Sequence, residues 1–192
     1  MKSGRRALGV AESYLGAENV ATSTIAGAVV RADRTVDDFA FGHCTVGGRD
    51  ATDAIIDLWD RLDRPDVRYL FVAGVAPAWY NIVDLEAVHR AVDRPVVAVS
   101  FEESDGLETG ITEAFDGDER TVRLEAYDAL PERRQLSAEP PLFVRSIGLD
   151  KTTTAEVVDA YTERRRPEPL HVAKRLARRV DAARRDGTIA PE

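Results

Sequence analysis

The sequence predicts an α/β fold in which a mixed sheet is flanked by helices, with a helical pair at the C-terminus. Three observations carry this. Three β-branched or alternating runs with short links open the chain of 192 residues, single strands then alternate with amphipathic helices, and two further helical patterns close it.

"RRALGVAES" is an apolar strand that ends in polar residues. After a turn containing Gly16, "ATSTIAGAVVRAD" and "TVDDFAFGHCTVGG" read as strands separated by Asp33-Arg34, a hairpin signal. Successive strands with such short links pair as an antiparallel meander. Ala51, Ala54, Ile55, Leu58, Trp59 and Leu62 then fall at the i, i+3, i+4, i+7, i+8, i+11 spacing of a helix with one buried face, and Pro65 ends it. "VRYLFVAGV" is continuously apolar, as expected of a strand covered on both faces. A second amphipathic helix spans Asn81 to Val92, Arg94-Pro95 breaks it, and "VVAVSF" is a further buried strand. A helix over Glu108 to Phe115 and strands near Thr121 to Tyr127 and Leu142 to Ile147 complete the core, with "ALPERRQLSAEPP" as the one linker-like stretch. Meander, helix, strand, helix, strand is the ribonuclease H-like order. A Rossmann domain would begin β-α-β, and no Gly-x-Gly-x-x-Gly opens a helix here. Helices from about Thr154 to Arg165 and from Leu170 to Arg185 extend this core, so that residues 1–192 read as one domain with a helical extension at 151–186.

The length suits one compact core and is short for two enzyme domains. With 44% apolar and 31% charged residues the composition is that of an ordinary globular protein. No run of about 18 apolar residues occurs, and "MKSGRRALGV" lacks the pattern of a signal peptide, so a cytoplasmic protein is expected. Cys44 is the sole cysteine, which excludes an internal disulfide and a cysteine-built zinc cage; within "FAFGHCTV" it packs as a small hydrophobe. His43, His89 and His171 show no paired metal spacing.

The formal net charge is −8, unevenly distributed. Residues 164–185 carry nine basic side chains against Glu168 and Asp181, which leaves about −15 on the rest. On the final helix, Lys174, Arg175, Arg178, Arg179 and Arg185 share one side, and Leu170, Ala173, Leu176, Ala177, Val180 and Ala183 share the other.

Three segments stand together: "ALGVAES" at the end of the first strand, "TVGGRDAT" from the third strand into the first helix, and "VAGVAPAWYNIVDL" after the fourth strand. Over roughly Arg6 to Ile147 they resemble an archaeal family of small proteins related to endonuclease V, some described as deoxyuridine endonucleases. The runs Tyr80 to Asp84 and Arg49 to Thr52 are the most specific parts. The resemblance implies an endonuclease V-like fold, a place in DNA repair, and nicking near a deaminated base with Mg²⁺ or Mn²⁺. In such enzymes carboxylates at neighbouring strand ends hold the cations, because hard divalent ions take anionic oxygen ligands. It also implies acids at three places where this chain has Ala11, Gly47 and Ala73. Neither a methyl group nor a hydrogen coordinates a cation.

Neighbouring residues offer substitutes, each with a structural alternative. Glu12 adjoins Ala11; a bulge would turn it toward the site, whereas a regular strand aims it at the opposite face. Asp50 either takes a catalytic role or N-caps the first helix. Asn81 and Asp84 either line a substrate pocket or start the second helix. Trp79 and Tyr80 either stack on a base, a contact contributing roughly 1–3 kcal/mol, or fill the core. Lys174, Arg175, Arg178 and Arg179 either contact the backbone of single-stranded or damaged DNA or solvate an acidic protein. Two functions follow: a metal-dependent endonuclease acting near deoxyuridine or inosine, and a non-catalytic relative that uses the fold to bind nucleic acid or protein.

Overall fold

The computed structural model describes residues 2–14, 21–163 and 165–189. The expected meander forms from β1 (Arg6–Glu12), β2 (Thr22–Arg31) and β3 (Val36–Thr45). Both pairings are antiparallel, with Ala26 opposite Ala11 on one side and Phe41 on the other. The β2–β3 hairpin turns at Arg34, whose φ is 73°. The Gly16 turn lies outside the described residues.

On the other side of β1 runs β4 (Val67–Ala73), parallel to it, followed by β5 (Val96–Ser100), parallel to β4. β7 (Pro141–Ile147) and β6 (Arg134–Ala138) then add antiparallel, so the sheet order is β3-β2-β1-β4-β5-β7-β6. One face is covered by α1 (Ala51–Leu62) and α3 (Leu85–Val92), which bury Ile55, Leu58 and Val88 against Leu8, Val10 and Leu70. The other is covered by α6 (Lys151–Tyr161) and α7 (Glu168–Arg185). Tyr161 meets Phe71 edge to face at 5.5 Å. Coverage on both faces is why β4 is apolar without alternation. Gly9 faces α7, and a Cβ there would lie 2.2 Å from the Pro169 carbonyl carbon, so the helix starts in direct backbone contact with β1.

Three expectations are corrected. Residues 121–127 are helical, within α5 (Gly117–Asp128), which follows α4 (Glu108–Ala114). Their strand-like alternation misleads because only Arg123 and Tyr127 are buried there, an i, i+4 pair on one helical face. The stretch expected as a linker contains β6, paired with β7. The second amphipathic helix begins at Leu85 rather than Asn81, because Asp84 provides its cap by accepting hydrogen bonds from the Glu86 and Ala87 N–H groups.

Candidate functional site

The parallel strands β1 and β4 end at the same rim of the sheet, and there Ala11 and Ala73 face α7. Ala11 is 4% exposed and packs with Ala28, Val30 and Ala173, while Ala73, Val172 and Leu176 flank the cluster. This corner is apolar. The third position, Gly47, lies in the turn after β3 at φ 66° and donates its N–H to the Ala78 carbonyl oxygen at 2.7 Å. A Cβ on Gly47 would sit 3.0 Å from the Trp79 ring. Among the described residues no group of three or more His, Cys, Asp or Glu is placed to hold a metal ion. The donor set therefore does not fit the Mg²⁺ or Mn²⁺ that the resemblance implies.

Each neighbouring acid has another partner. The Glu12 carboxylate accepts hydrogen bonds from the Ser23 hydroxyl at 2.8 Å and from the Tyr14 N–H. Lys174 Nζ donates to the Glu12 carbonyl oxygen at 2.6 Å and stands 3.4 Å from Glu12 Oε1. Lys174 is thus turned inward, away from the outward basic side expected of it. Asp50 makes no side-chain cap to α1. Its carboxylate accepts from the Thr45 hydroxyl at 2.7 Å, the Thr45 N–H at 3.0 Å and the Asn81 amide at 2.6 Å. Burial acts to raise the Asp50 carboxyl, but these hydrogen bonds outweigh it and hold the group below the ordinary carboxylate range.

Asn81 is fully buried and works on α1 rather than α3. Its Oδ1 accepts from the Ala51 N–H at 2.9 Å, satisfying an N-terminal donor of α1, and its Nδ2 donates to the Thr45 carbonyl oxygen at 2.9 Å. Asp84 joins the same region, with its N–H donating to Thr52 Oγ1 at 2.9 Å. The structure therefore brings Thr45, Asp50 and Asn81 together as one hydrogen-bonded brace, and Glu12 with Lys174 as a separate pair.

Between β4 and α3 the chain makes the single turn α2 (Pro77–Tyr80), in which Ala78, Trp79 and Tyr80 have φ of 47°, 61° and 57°. Consecutive left-handed non-glycine residues are costly, about 1–2 kcal/mol each. The turn leaves Trp79 45% exposed, with its ring 5.2 Å from that of Phe115, and Tyr80 half-buried edge-on to Phe115 at 6.0 Å. The Arg123 guanidinium lies 3.9 Å over Phe115 and donates to the carbonyl oxygens of Gly47 and Gly48, tying α5 to the Gly47 turn. Sequence reasoning missed Arg123, because a strand over 121–127 places it nowhere near Gly47. A lone arginine at the i−4 position from Tyr127 was the only signal.

On α7, Arg175, Arg178 and Arg179 are exposed and have no ionic partner among the described residues, while Arg185 pairs with Asp181 at 2.5 Å. Asp181, at the boundary between the basic and apolar sides of the helix, is buried.

This sheet order, with its rim between β1, β4 and the C-terminal helix, is the ribonuclease H-like arrangement of endonuclease V. Human ENDOV aligns over 95% of this chain and 86% of its own with a TM-score of 0.63 at 14% identity. Endonuclease V of Ciona intestinalis, in complex with DNA containing an inosine, gives 0.61 at 13% identity over 93% and 86%. An Archaeoglobus fulgidus protein of unknown function gives 0.80 at 22% identity over 92% and 98%. Residues 3–181 match the family Endonuclease dU, and the chain belongs to it. UPF0215 proteins are among its relatives: one from Pyrobaculum calidifontis is 33% identical over 159 residues, covering 81% of this chain and 86% of the relative. Another, from Thermococcus kodakarensis, is 34% identical over 140 residues, covering 71% and 70%. The chain is nuclease-like in family and fold. No helix among the described residues is long and apolar enough to cross a membrane.

Proposed function

We propose that this chain, acting as one domain, binds nucleic acid on a nuclease scaffold and does not cut it by the two-metal route. The observation that carries this reading is the apolar corner of Ala11, Ala73 and Ala173, which occupies the place where strand-end carboxylates would have to converge. Binding is supported by Arg175, Arg178 and Arg179, exposed and without an ionic partner among the described residues, on the helix beside that corner, and by the DNA complex of the Ciona endonuclease V of like fold. Phosphate contacts by these arginines predict affinity that falls as salt rises, with a log–log slope of about −0.7 per phosphate for single strands. Replacing all three by alanine is expected to make that slope shallower by about 2. Affinity and slope unchanged in the triple variant would remove the arginines from the interface.

Family membership favours a second reading, nicking near deoxyuridine or inosine in a repair role. Incubation with strands containing either base, with Mg²⁺ or Mn²⁺, separates the two. No cleavage is expected. A nicked product that disappears in Glu12→Gln or Asp50→Asn would establish the second reading instead.

A further inference from the structure

A cavity of about 260 Å³ lies at the carboxyl ends of β4 and β5, between Gly74 and Ala76 after the first strand and Ser104 and Leu107 after the second. Crevices outside strand ends are where open α/β sheets take their ligands. Ala98 and Tyr127, both part of the core on the α1 face, line it from below. Arg145 is opposite Ala98 in the β5–β7 pairing, and directly opposed residues project from the same face, so its guanidinium enters the cavity from β7. A more polar cavity of about 430 Å³ adjoins the first, and Arg133 and Arg145 line both. The two cations therefore stand at the junction of an apolar chamber and its wet mouth.

Both guanidiniums are braced in place, and neither has an ionic partner among the described residues. Arg133 stands 3.8 Å over the Phe143 ring and donates to the carbonyl oxygens of Glu102 at 2.5 Å and Ser104 at 3.0 Å. Arg145 stands 5.0 Å from the Tyr127 ring centre and donates to the Pro131 carbonyl oxygen at 2.5 Å and the Tyr127 hydroxyl at 3.0 Å. A guanidinium carries about five N–H donors, so each keeps several for a ligand. Glu102, Asp105, Glu108 and Asp128 stand exposed around the two cavities, yet neither arginine is paired with any of these carboxylates.

The geometry points to a binding site for a small organic carboxylate, its anionic oxygens on Arg133 and Arg145 and its apolar body against Val75, Ala98 and Leu107. This is a second site, and it does not rest on the proposed nucleic-acid binding. A mostly apolar hollow with a few placed polar groups is the usual form of a small-molecule site, and about 260 Å³ suits a ligand smaller than the drug-sized ones that fill about 300–1,000 Å³. The planar fork of a guanidinium matches the two oxygens of a carboxylate. Because both arginines are already held on aromatic rings and backbone carbonyls, little side-chain freedom is lost when the ligand arrives. The acids around the mouth restrict what enters. Asp105, Glu108 and Asp128 repel the successive phosphates of a nucleic-acid strand, whereas a single carboxylate beyond them meets two cations in a less polar setting, where charges are screened less than at the surface.

The test compares benzoate with benzamide, which share a shape and differ in charge, by titration of the full chain followed through its backbone amide NMR signals. Benzoate is expected to shift the amides of Gly74, Val75 and Gly106, and to bind at least about 10-fold more tightly than benzamide, as charge-assisted hydrogen bonds predict. Arg133→Gln is expected to remove most of that preference while benzamide binding stays as it was. Because this measurement locates the ligand in the wild-type chain, it stands even where a variant folds poorly. Equal affinity for the two probes, no binding of either, or shifts confined to the arginines of α7 would each overturn the inference. So would an Arg133→Gln variant that unfolds more easily yet keeps the wild-type benzoate Kd, since the arginine would then be a brace alone. Displacement of benzoate by an oligothymidylate would assign the cavity to the path of a strand and likewise overturn it. Failure of oligothymidylate to bind at all would remove the nucleic-acid reading and leave this one untouched.

Discussion

Asn81 has no solvent contact, yet its side chain joins the end of β3, the start of α1 and the Asp50 carboxylate. Asn81→Ala would leave a buried donor, a buried acceptor and part of a carboxylate unsatisfied, and stability is expected to fall by about 2–4 kcal/mol in a urea titration. Asp50 carries a pH signature. Its folded carboxyl titrates below the ordinary value of about 3.9, so the stability it contributes is fully present above that value and is lost as pH falls through the lower, folded one. Asp50→Asn is therefore expected to be less stable than wild type at pH 7 and to show a shallower acid limb, with the two curves converging at the acid end. Parallel curves would mean that hydrogen-bond geometry alone accounts for the loss. Asn and Asp before a helix are plain in the sequence as capping signals. Which helix each one caps is not, because Asn81 reaches α1 across 30 positions of chain.

At the scale of elements, two contacts set where α7 and the Trp79 turn lie. Gly9 lets the start of α7 touch β1, and Gly9→Ala is expected to cost at least about 2 kcal/mol, since the clash is with backbone at Pro169 and not with a side chain that could rotate away. Retention of wild-type stability by that variant would show that α7 docks less closely. The left-handed turn at Ala78 to Tyr80 is tested by comparing Trp79→Asn with Trp79→Val. Both lose the same ring, but Asn tolerates positive φ and a β-branched residue does not. Thermal or denaturant unfolding is expected to show the Val variant at least about 1 kcal/mol less stable than the Asn variant. The helices with strong amphipathic period, α1 and α7, were legible from spacing alone, and so was the apolar β4. By contrast, α5 and β6 were not: α5 buries two residues and β6 none, so neither carries a periodicity that a local pattern can reveal.

For the molecule as a whole, the consequence is thermodynamic. A ligand that binds only the folded state raises its unfolding midpoint, and the rise grows with the logarithm of ligand concentration once that exceeds Kd. With no acidic cluster among the described residues placed to hold a cation, millimolar Mg²⁺ or Mn²⁺ is expected to leave the midpoint unchanged, and EDTA likewise. A rise of several degrees that grows logarithmically with Mg²⁺ and is reversed by EDTA would show a metal site built from other residues. The meander, the order of strands and helices from α1 to β5 and the identity of Ala11, Gly47 and Ala73 could all be read along the chain, because hydrophobic period and residue identity are local properties. The pairing of Lys174 with Glu12 across 162 positions, the Asp50–Asn81 brace and the seat of Arg123 beside Gly47 could not. Those juxtapositions depend on strand register and on the angle at which α7 lies over the sheet, and both are settled by packing among residues far apart in the chain.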